Sequence, residues 1–298
     1  MSIKKIQFDV LSAIEYANKI MSESEISAKT GIPADAVTDT VKELLNFGFI
    51  NDKSITQAGI EALQPYRVRR AVFMAAGFGS RLVPITLNTP KPLVRVNGKR
   101  IIDTILDACI DVGIDEIYII RGYLKEQFDQ LLYKYPGIKF IDNPFYNEAN
   151  NISSVFAAGN LLQNAYLFES DLLINNPKIV KKYQYASNFV GCFREKTDDW
   201  CVYVDKNLRI YDEKIGGDNC YQIFGVTYIN SEDGVKLEKH IKEIFNLPGG
   251  KKRYWSTVPL LTYGKYYNIY VRPISDKDIV EIDTFEDLKA NDKSYDVI

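Results

Sequence analysis

Histidine is almost missing from this chain: of 298 residues only His240 is one, and it lies in the charged run KLEKHIKEI. That excludes a histidine-rich metal site and argues against a Ser-His-Asp hydrolase. Cysteine is scarce as well. Cys109, Cys192, Cys201 and Cys220 form no CxxC pair, so reduced, mostly buried thiols are expected rather than zinc or disulfides. No run approaches the roughly 20 apolar residues of a membrane span. The opening residues, MSIKKIQFDVLSAIEYANKI, hold neither a signal-peptide core nor a small-residue cleavage site. A cytoplasmic protein without a membrane partner is the expectation. Strong charge of either sign is lacking too, since the formal net charge is -2, which leaves no global field to collect nucleic acid. If the chain is an enzyme, carboxylates, lysines and arginines must do its chemistry.

Residues 1–66 read as a domain of their own. Helical patterns cover Ile6 to Ala17, a stretch from Ser22 in which Ser22 and Glu25 have capping-box spacing, and Ala34 to Phe47. In the third, Val37, Val41, Leu44 and Leu45 are expected on one face. Gly48–Thr56 has the character of a two-stranded wing turning at Asn51-Asp52-Lys53, and Gln57–Leu63 of a last helix. That order resembles a winged helix domain. Duplex binding draws on neutralised phosphates. Yet this segment carries six lysines and no arginine against nine acids, a net of -3, with Asp35, Asp39 and Glu43 on the would-be recognition helix. DNA is therefore not the expected partner. Docking, homodimerisation or regulation is.

From residue 67 to 298 the pattern alternates between strand and helix. Apolar strand candidates are Ala71–Ala76, Glu116–Ile120, Lys139–Asp142 and Ala165–Glu169, separated by helical stretches such as IIDTILDACIDVG and NISSVFAAGNLL. Such alternation implies an α/β fold, a Rossmann-like and mostly parallel sheet sandwiched by helices. The later runs CVYVDK, YQIFGVTYI and NIYVRPI suit antiparallel additions to that sheet.

Four segments carry chemistry. Ala75-Ala76-Gly77-Phe78-Gly79-Ser80-Arg81 follows the first strand, so backbone N–H groups fall where ligands bind in open α/β sheets, with Arg81 as a forked cation for phosphate. In Thr89-Pro90-Lys91-Pro92-Leu93 two prolines predict a stiff, extended segment projecting Lys91. Asp171 ends the run after AYLFES, and Glu281 and Asp283 alternate onto one face of VEIDT. The first two segments together resemble the signature of the nucleoside-triphosphate transferase family, a nucleotide-diphospho-sugar transferase type of fold. The resemblance implies that Ala75, Ala76, Gly77, Gly79, Arg81 and Lys91 meet the triphosphate, with Lys91 stabilising charge at the α-phosphate. It also implies that Asp171 and Asp283 hold Mg2+, a hard cation suited to carboxylates.

Within that family the chain is similar to the bacterial phosphocholine cytidylyltransferases over roughly residues 69–290, on Arg121-Gly122-Tyr123-Leu124 and Asn150-Asn151-Ile152-Ser153-Ser154. Gly122 and Ser153 are then expected at the nucleotide. Asn150 or Asn151 is expected to cap a helix whose free N–H groups favour an anion. CTP and a phosphorylated or phosphonate amino-alcohol are the implied substrates, with phosphocholine the expected acceptor. A quaternary ammonium is best held by aromatic faces, which nominates Trp200, Tyr228 and Trp255 beside Glu281. Related enzymes often carry an acid after the aromatic pair matched by Tyr254-Trp255, where this chain has Ser256. That departure keeps a primary-amine acceptor such as 2-aminoethylphosphonate in play. The rival reading, a nucleotide sensor driving the winged helix, would need basic residues that the third helix lacks.

Overall fold

The computed structural model describes residues 3–297 apart from Asn18, Ile20 and Lys53. Its chain divides into two compact units, one of Met1–Arg67 with Tyr183–Tyr185 and one of Val68–Lys182 with Ala186–Ile298. The return of Tyr183–Tyr185 to the first unit is not visible as a boundary in the sequence.

In the first unit, helices α1 (Lys5–Ala17), α2 (Glu23–Thr30), α3 (Ala34–Asn46) and α4 (Gln57–Leu63) enclose a core that includes Val10, Leu11, Ile14, Ile26, Val37 and Leu44. The capping box of Ser22 and Glu25 is formed in both directions, and Gly31 ends α2 in the left-handed region at φ 73. Leu45 departs from expectation: it is exposed, because the buried stripe of α3 runs through Val37, Thr40 and Leu44 and Leu45 lies about 100° beyond it. Where a wing was expected, Ile50 and Ile55 form an antiparallel bridge, and Lys53 of the intervening turn lies outside the described residues.

The second unit contains β1 (Arg70–Ala75), β2 (Arg95–Val96), β3 (Lys99–Arg100), α5 (Ile101–Asp111), β4 (Glu116–Arg121), β5 (Lys139–Asp142), α6 (Ile152–Ala158), β6 (Ala165–Glu169) and β7 (Leu172–Ile174). After these come β8 (Asn188–Val204), β9 (Ile210–Ile229), α7 (Ser231–Phe245), β10 (Tyr270–Pro273), β11 (Ile279–Glu281) and α8 (Phe285–Asn291). The main sheet has the order β10-β8-β9-β6-β1-β4-β5. Strands β6, β1, β4 and β5 are parallel, and β9 runs antiparallel to both β6 and β8. One expectation fails here. β10, from the run NIYVRPI, pairs with β8 in parallel, since the chain crosses over through α7 before returning.

Buried on both faces, the central strands are apolar almost throughout, as parallel strands covered by helices are. Successive residues face opposite sides: Phe73, Ile119 and Phe168 pack with α5 through Ile105 and Leu106, while Val72, Ile120 and Leu167 pack with α6 and α7 through Val155, Leu237 and Ile241. The four cysteines are buried. No helix among the described residues is long and apolar enough to cross a membrane.

Leu106 is fully buried at the centre of the α5 face. Leu106→Ala is expected to destabilise the second unit by about 2–5 kcal/mol. Both tryptophans, Trp200 and Trp255, lie in that unit, so their fluorescence in a urea titration reports its transition directly.

Candidate active site

A cavity of about 560 Å³ opens at the C-terminal ends of the central strands, the position at which open α/β sheets bind ligands. At one end of it stand four carboxylates. β6 ends in Glu169, and Asp171 follows after a turn in which the Ser170 hydroxyl donates to the Met74 carbonyl at 3.1 Å. β11 pairs antiparallel with β7, and the Ile282 N–H donates to the Asp171 carbonyl at 2.9 Å, which brings Glu281 and Asp283 alongside. One ligand oxygen from each of Glu169, Asp171 and Glu281 falls within 4.8 Å of the others.

Lys91 bridges the group, its Nζ donating at 2.9 Å to both Asp171 Oδ2 and Asp283 Oδ1. Arg81 grips Asp283 with two prongs, Nη2 at 2.8 Å and Nη1 at 2.7 Å. Burial alone would lower the Lys91 pKa, but the adjoining Asp171 and Asp283 outweigh it and hold the ammonium above its ordinary range. Burial pushes Glu169 up to about 8, reinforced by the Asp171 charge, and Glu281 up to about 9 for the same two reasons. Within this cluster Asp171 Oδ1 is buried with no hydrogen-bond partner. Three clustered carboxylates with an unsatisfied oxygen fit a hard divalent cation such as Mg2+, which takes oxygen ligands.

The segments expected to meet a triphosphate arrive at the cavity differently from one another. Ala76, Gly77 and Arg81 line it. Ala75 is the buried last residue of β1 and stands behind them. Gly79 adopts φ 70, and a Cβ there would come within 3.0 Å of Lys91 Cβ, so it is the point at which the glycine turn packs on the lysine segment. That segment is not extended as expected. Lys91–Leu93 form a turn of 3-10 helix started by Pro90 and closed by Leu93 N–H to the Pro90 carbonyl, because Pro92 at a first-turn position has no N–H to satisfy. Gly122 sits beneath the wall: a Cβ on it would approach Tyr146 Cβ to 2.5 Å, and it is Tyr146 that lines the cavity.

Ser153 lines the cavity, but its N–H and hydroxyl both donate to the Asn150 carbonyl, and neither asparagine side chain caps α6. The open anion site expected there is closed by these local bonds. Asn151 instead reaches across, donating to Glu169 at 3.4 Å and accepting from the Trp255 N–H at 3.0 Å.

The far end of the cavity is aromatic. Trp200 leans on Tyr254 with centroids 4.8 Å apart, and Trp255 stacks on Phe189 at 5.5 Å, with Ser256 beside them. Tyr228 does not belong to this wall. It pairs in register with Tyr166 on the opposite face of the sheet and is buried in the α5-side core, its hydroxyl donating to Asn164. Its neighbour Thr227 faces the cavity instead, as the two-residue period requires. Glu281, expected at the acceptor, stands with Glu169 and Asp171, whereas Asp283, expected to hold Mg2+ with Asp171, is ion-paired with Lys91 and Arg81. Glu169 went unassigned from sequence, although Glu169 and Asp171 repeat the two-residue spacing of Glu281 and Asp283.

Residues 70–182 match the model of the nucleotidyl transferase family. The chain is 33% identical to the 2-aminoethylphosphonate cytidylyltransferase of Lancefieldella rimae over 228 residues, 76% of this chain and 92% of that one. It is 30% identical to the choline-phosphate cytidylyltransferase of Streptococcus pneumoniae over 222 residues, 74% of this chain and 95% of the other. The solved structure of CTP:phosphocholine cytidylyltransferase from Streptococcus pneumoniae superposes with a TM-score of 0.69, covering 78% of this chain and 99% of that one at 30% identity. With its mixed sheet, its cationic turn facing clustered acids, and relatives of this extent, the chain belongs to the nucleotidyl transferase family and is a nucleotidyltransferase with cytidylyltransferase homologues.

Proposed function

We propose that this protein transfers CMP from CTP to a small acceptor bearing a phosphonate or phosphate at one end and a primary amine at the other, 2-aminoethylphosphonate being the type, and releases pyrophosphate. The observation that carries this reading is the two-ended cavity: Lys91, Arg81 and the acids at one end, Trp200, Tyr254 and Ser256 at the other. A phosphocholine acceptor is the second reading, favoured by the Trp200–Tyr254 pair, whose faces suit a quaternary ammonium.

In this reading an acceptor oxygen attacks the α-phosphorus, a new P–O bond forms, and the bond to pyrophosphate breaks. The acceptor oxygen is already anionic near neutral pH, so no residue need act as a base. Lys91 and Arg81 release their carboxylates to the triphosphate and neutralise charge on the phosphoryl oxygens, with positioning and electrostatics supplying most of the rate. Glu169, Asp171 and Glu281 would hold Mg2+, which when bound supplies further neutralisation of the triphosphate.

Purified protein with Mg2+ is expected to release pyrophosphate from CTP in the presence of 2-aminoethylphosphonate. Inertness across CTP, UTP and GTP with 2-aminoethylphosphonate, phosphocholine and glucose 1-phosphate would sink the transferase reading in favour of a nucleotide sensor. Lys91→Ala and Asp171→Ala should each lower kcat by more than about a hundredfold, the scale of removing an electrostatic stabiliser, while circular dichroism stays unchanged.

The acid trio also sets a pH dependence. Glu169 and Glu281 titrate near 8 and 9 in the folded protein but at about 4.3 when unfolded. Between those limits the folded state holds more protons, so metal-free stability falls as pH rises from about 5 to 9. Cation binding displaces the same protons, so Mg2+ affinity rises over that window. Thermal melts across pH with and without Mg2+ should diverge increasingly on the alkaline side, and parallel curves would remove the trio as the cation site.

A further inference from the structure

Opposite the acids, behind the aromatic end of the cavity, lies a carboxylate that the mechanism above leaves unused. Glu213 is only 4% exposed, and both of its oxygens are buried without a hydrogen-bond partner. A buried carboxylate with two unpaired oxygens is a rare and costly feature. Its placement follows from strand register. The segment around Val202 in β8 is flanked on both sides by β9, and Val202 pairs with Glu213 on one edge and Tyr221 on the other. Trp200, two residues before Val202, pairs with Ile215, and Ile223 lies two beyond Tyr221. Paired residues and alternate residues share a face, so Glu213 stands on the same face as Trp200 and Ile223, which both line the cavity.

Ser256 is a neighbour of Glu213 and also lines the cavity, which Glu213 itself does not. Burial raises Glu213 to about 7, and the Ser256 hydroxyl opposes that rise without completing a hydrogen bond. Ser256 is small, so the side chain next to the carboxylate on the cavity wall is a single hydroxymethyl group. Asp199, the other acid at this end, is less suited to the task. It is exposed, and its oxygens already accept from the Trp200 N–H and the Gln222 amide.

We infer that Glu213 is the specificity-determining countercharge for the amine end of the acceptor, drawing an N–H-bearing cation past Ser256 against its unpaired oxygens. A primary ammonium offers three donors to satisfy them, whereas a quaternary ammonium offers none and leaves the carboxylate unsatisfied. The acid at this end thus comes from β9, next to Ser256, and not from the position after Tyr254-Trp255. The inference rests on the amine-acceptor reading above.

The test compares 2-aminoethylphosphonate with 2-hydroxyethylphosphonate as acceptors for wild type and Glu213→Gln, measuring KM and kcat for each and KM for CTP. The variant is expected to raise KM for the amine roughly 10- to 100-fold, the scale of a lost hydrogen bond to a charged group. KM for the hydroxyl acceptor and for CTP should stay within about threefold, a margin below that scale. Adding Ser256→Asp to Glu213→Gln returns a carboxylate to the wall and should recover the amine preference. Should Glu213→Gln not fold, Glu213→Asp, which withdraws the charge by one methylene, carries the same comparison. A rise confined to the amine supports the assignment, and an equal change for both acceptors overturns it. Wild-type protein inert with amine acceptors would overturn the functional reading and this inference together. An active wild type whose amine preference survives Glu213→Gln overturns this inference alone.

Discussion

A small apolar cluster that includes Leu82, Val94, Ile101, Leu173, Ile282 and Leu288 ties together the segments that carry the charges. Four of these adjoin chemistry-bearing segments. Leu82 follows Arg81, Val94 closes the Lys91 turn, Leu173 follows Asp171 by two, and Ile282 separates Glu281 from Asp283. Packing these side chains together forces the acids and the cations into one another's reach. Clustered like charges repel, and burial makes that repulsion larger. Burial first, and the Asp171 charge second, raise the carboxyls of Glu169 and Glu281. Hydrophobic burial of the clamp, at about 25 cal/mol per Å² of apolar surface, is what offsets the repulsion. Lys91, held between Asp171 and Asp283, relieves the remainder.

The same logic divides the cavity into ends. Charge is concentrated where β6, β7 and β11 meet, because two short strands and a turn deliver four acids within a few residues of strand ends. The β8–β9 wall, by contrast, delivers aromatic rings and one buried carboxylate. Trp255 is committed to Phe189 and nearly covered, so Trp200 and Tyr254 are the rings with faces to offer. Tyr228 adds no ring to that pair, because it lies on the far side of the sheet.

Much of this was readable before the structure. β1, β4, β5 and β6 follow their apolar runs to within a residue, since the three central ones are largely buried and carry a nearly uninterrupted signal. The helices of residues 5–63 were equally plain from caps and periodicity. What failed were properties fixed by partners distant in sequence. Tyr228 was misplaced because facing direction depends on register against β6, which a tyrosine-rich strand does not announce. β10 was read as antiparallel because the crossover through α7 is a matter of topology, not pattern. Glu213 sits in YDEKI, a run that reads as solvated, and only the doubled pairing of Val202 buries it. Glu281 and Asp283 are legible as a pair on one face, but which of them clusters with Glu169 and Asp171 is not. Alternation places both on one face, and it takes Lys91 and Arg81 to claim one of them.

That claim bears on how substrates would enter. Lys91 and Arg81 are the cations the proposed chemistry needs, and in the free protein both are neutralised by Asp171 and Asp283. A triphosphate arriving alone would take the two cations and leave a half-buried group of acids unpaired, which costs free energy. A divalent cation arriving alone would meet acids already occupied or protonated. Arriving together, the triphosphate replaces the acids on Lys91 and Arg81 while the cation replaces the lysine on the acids, and no charge is left stranded. In the proposed reading, binding of nucleotide and cation would thus be coupled through Lys91, whose ion pairs with Asp171 and Asp283 neutralise the free site.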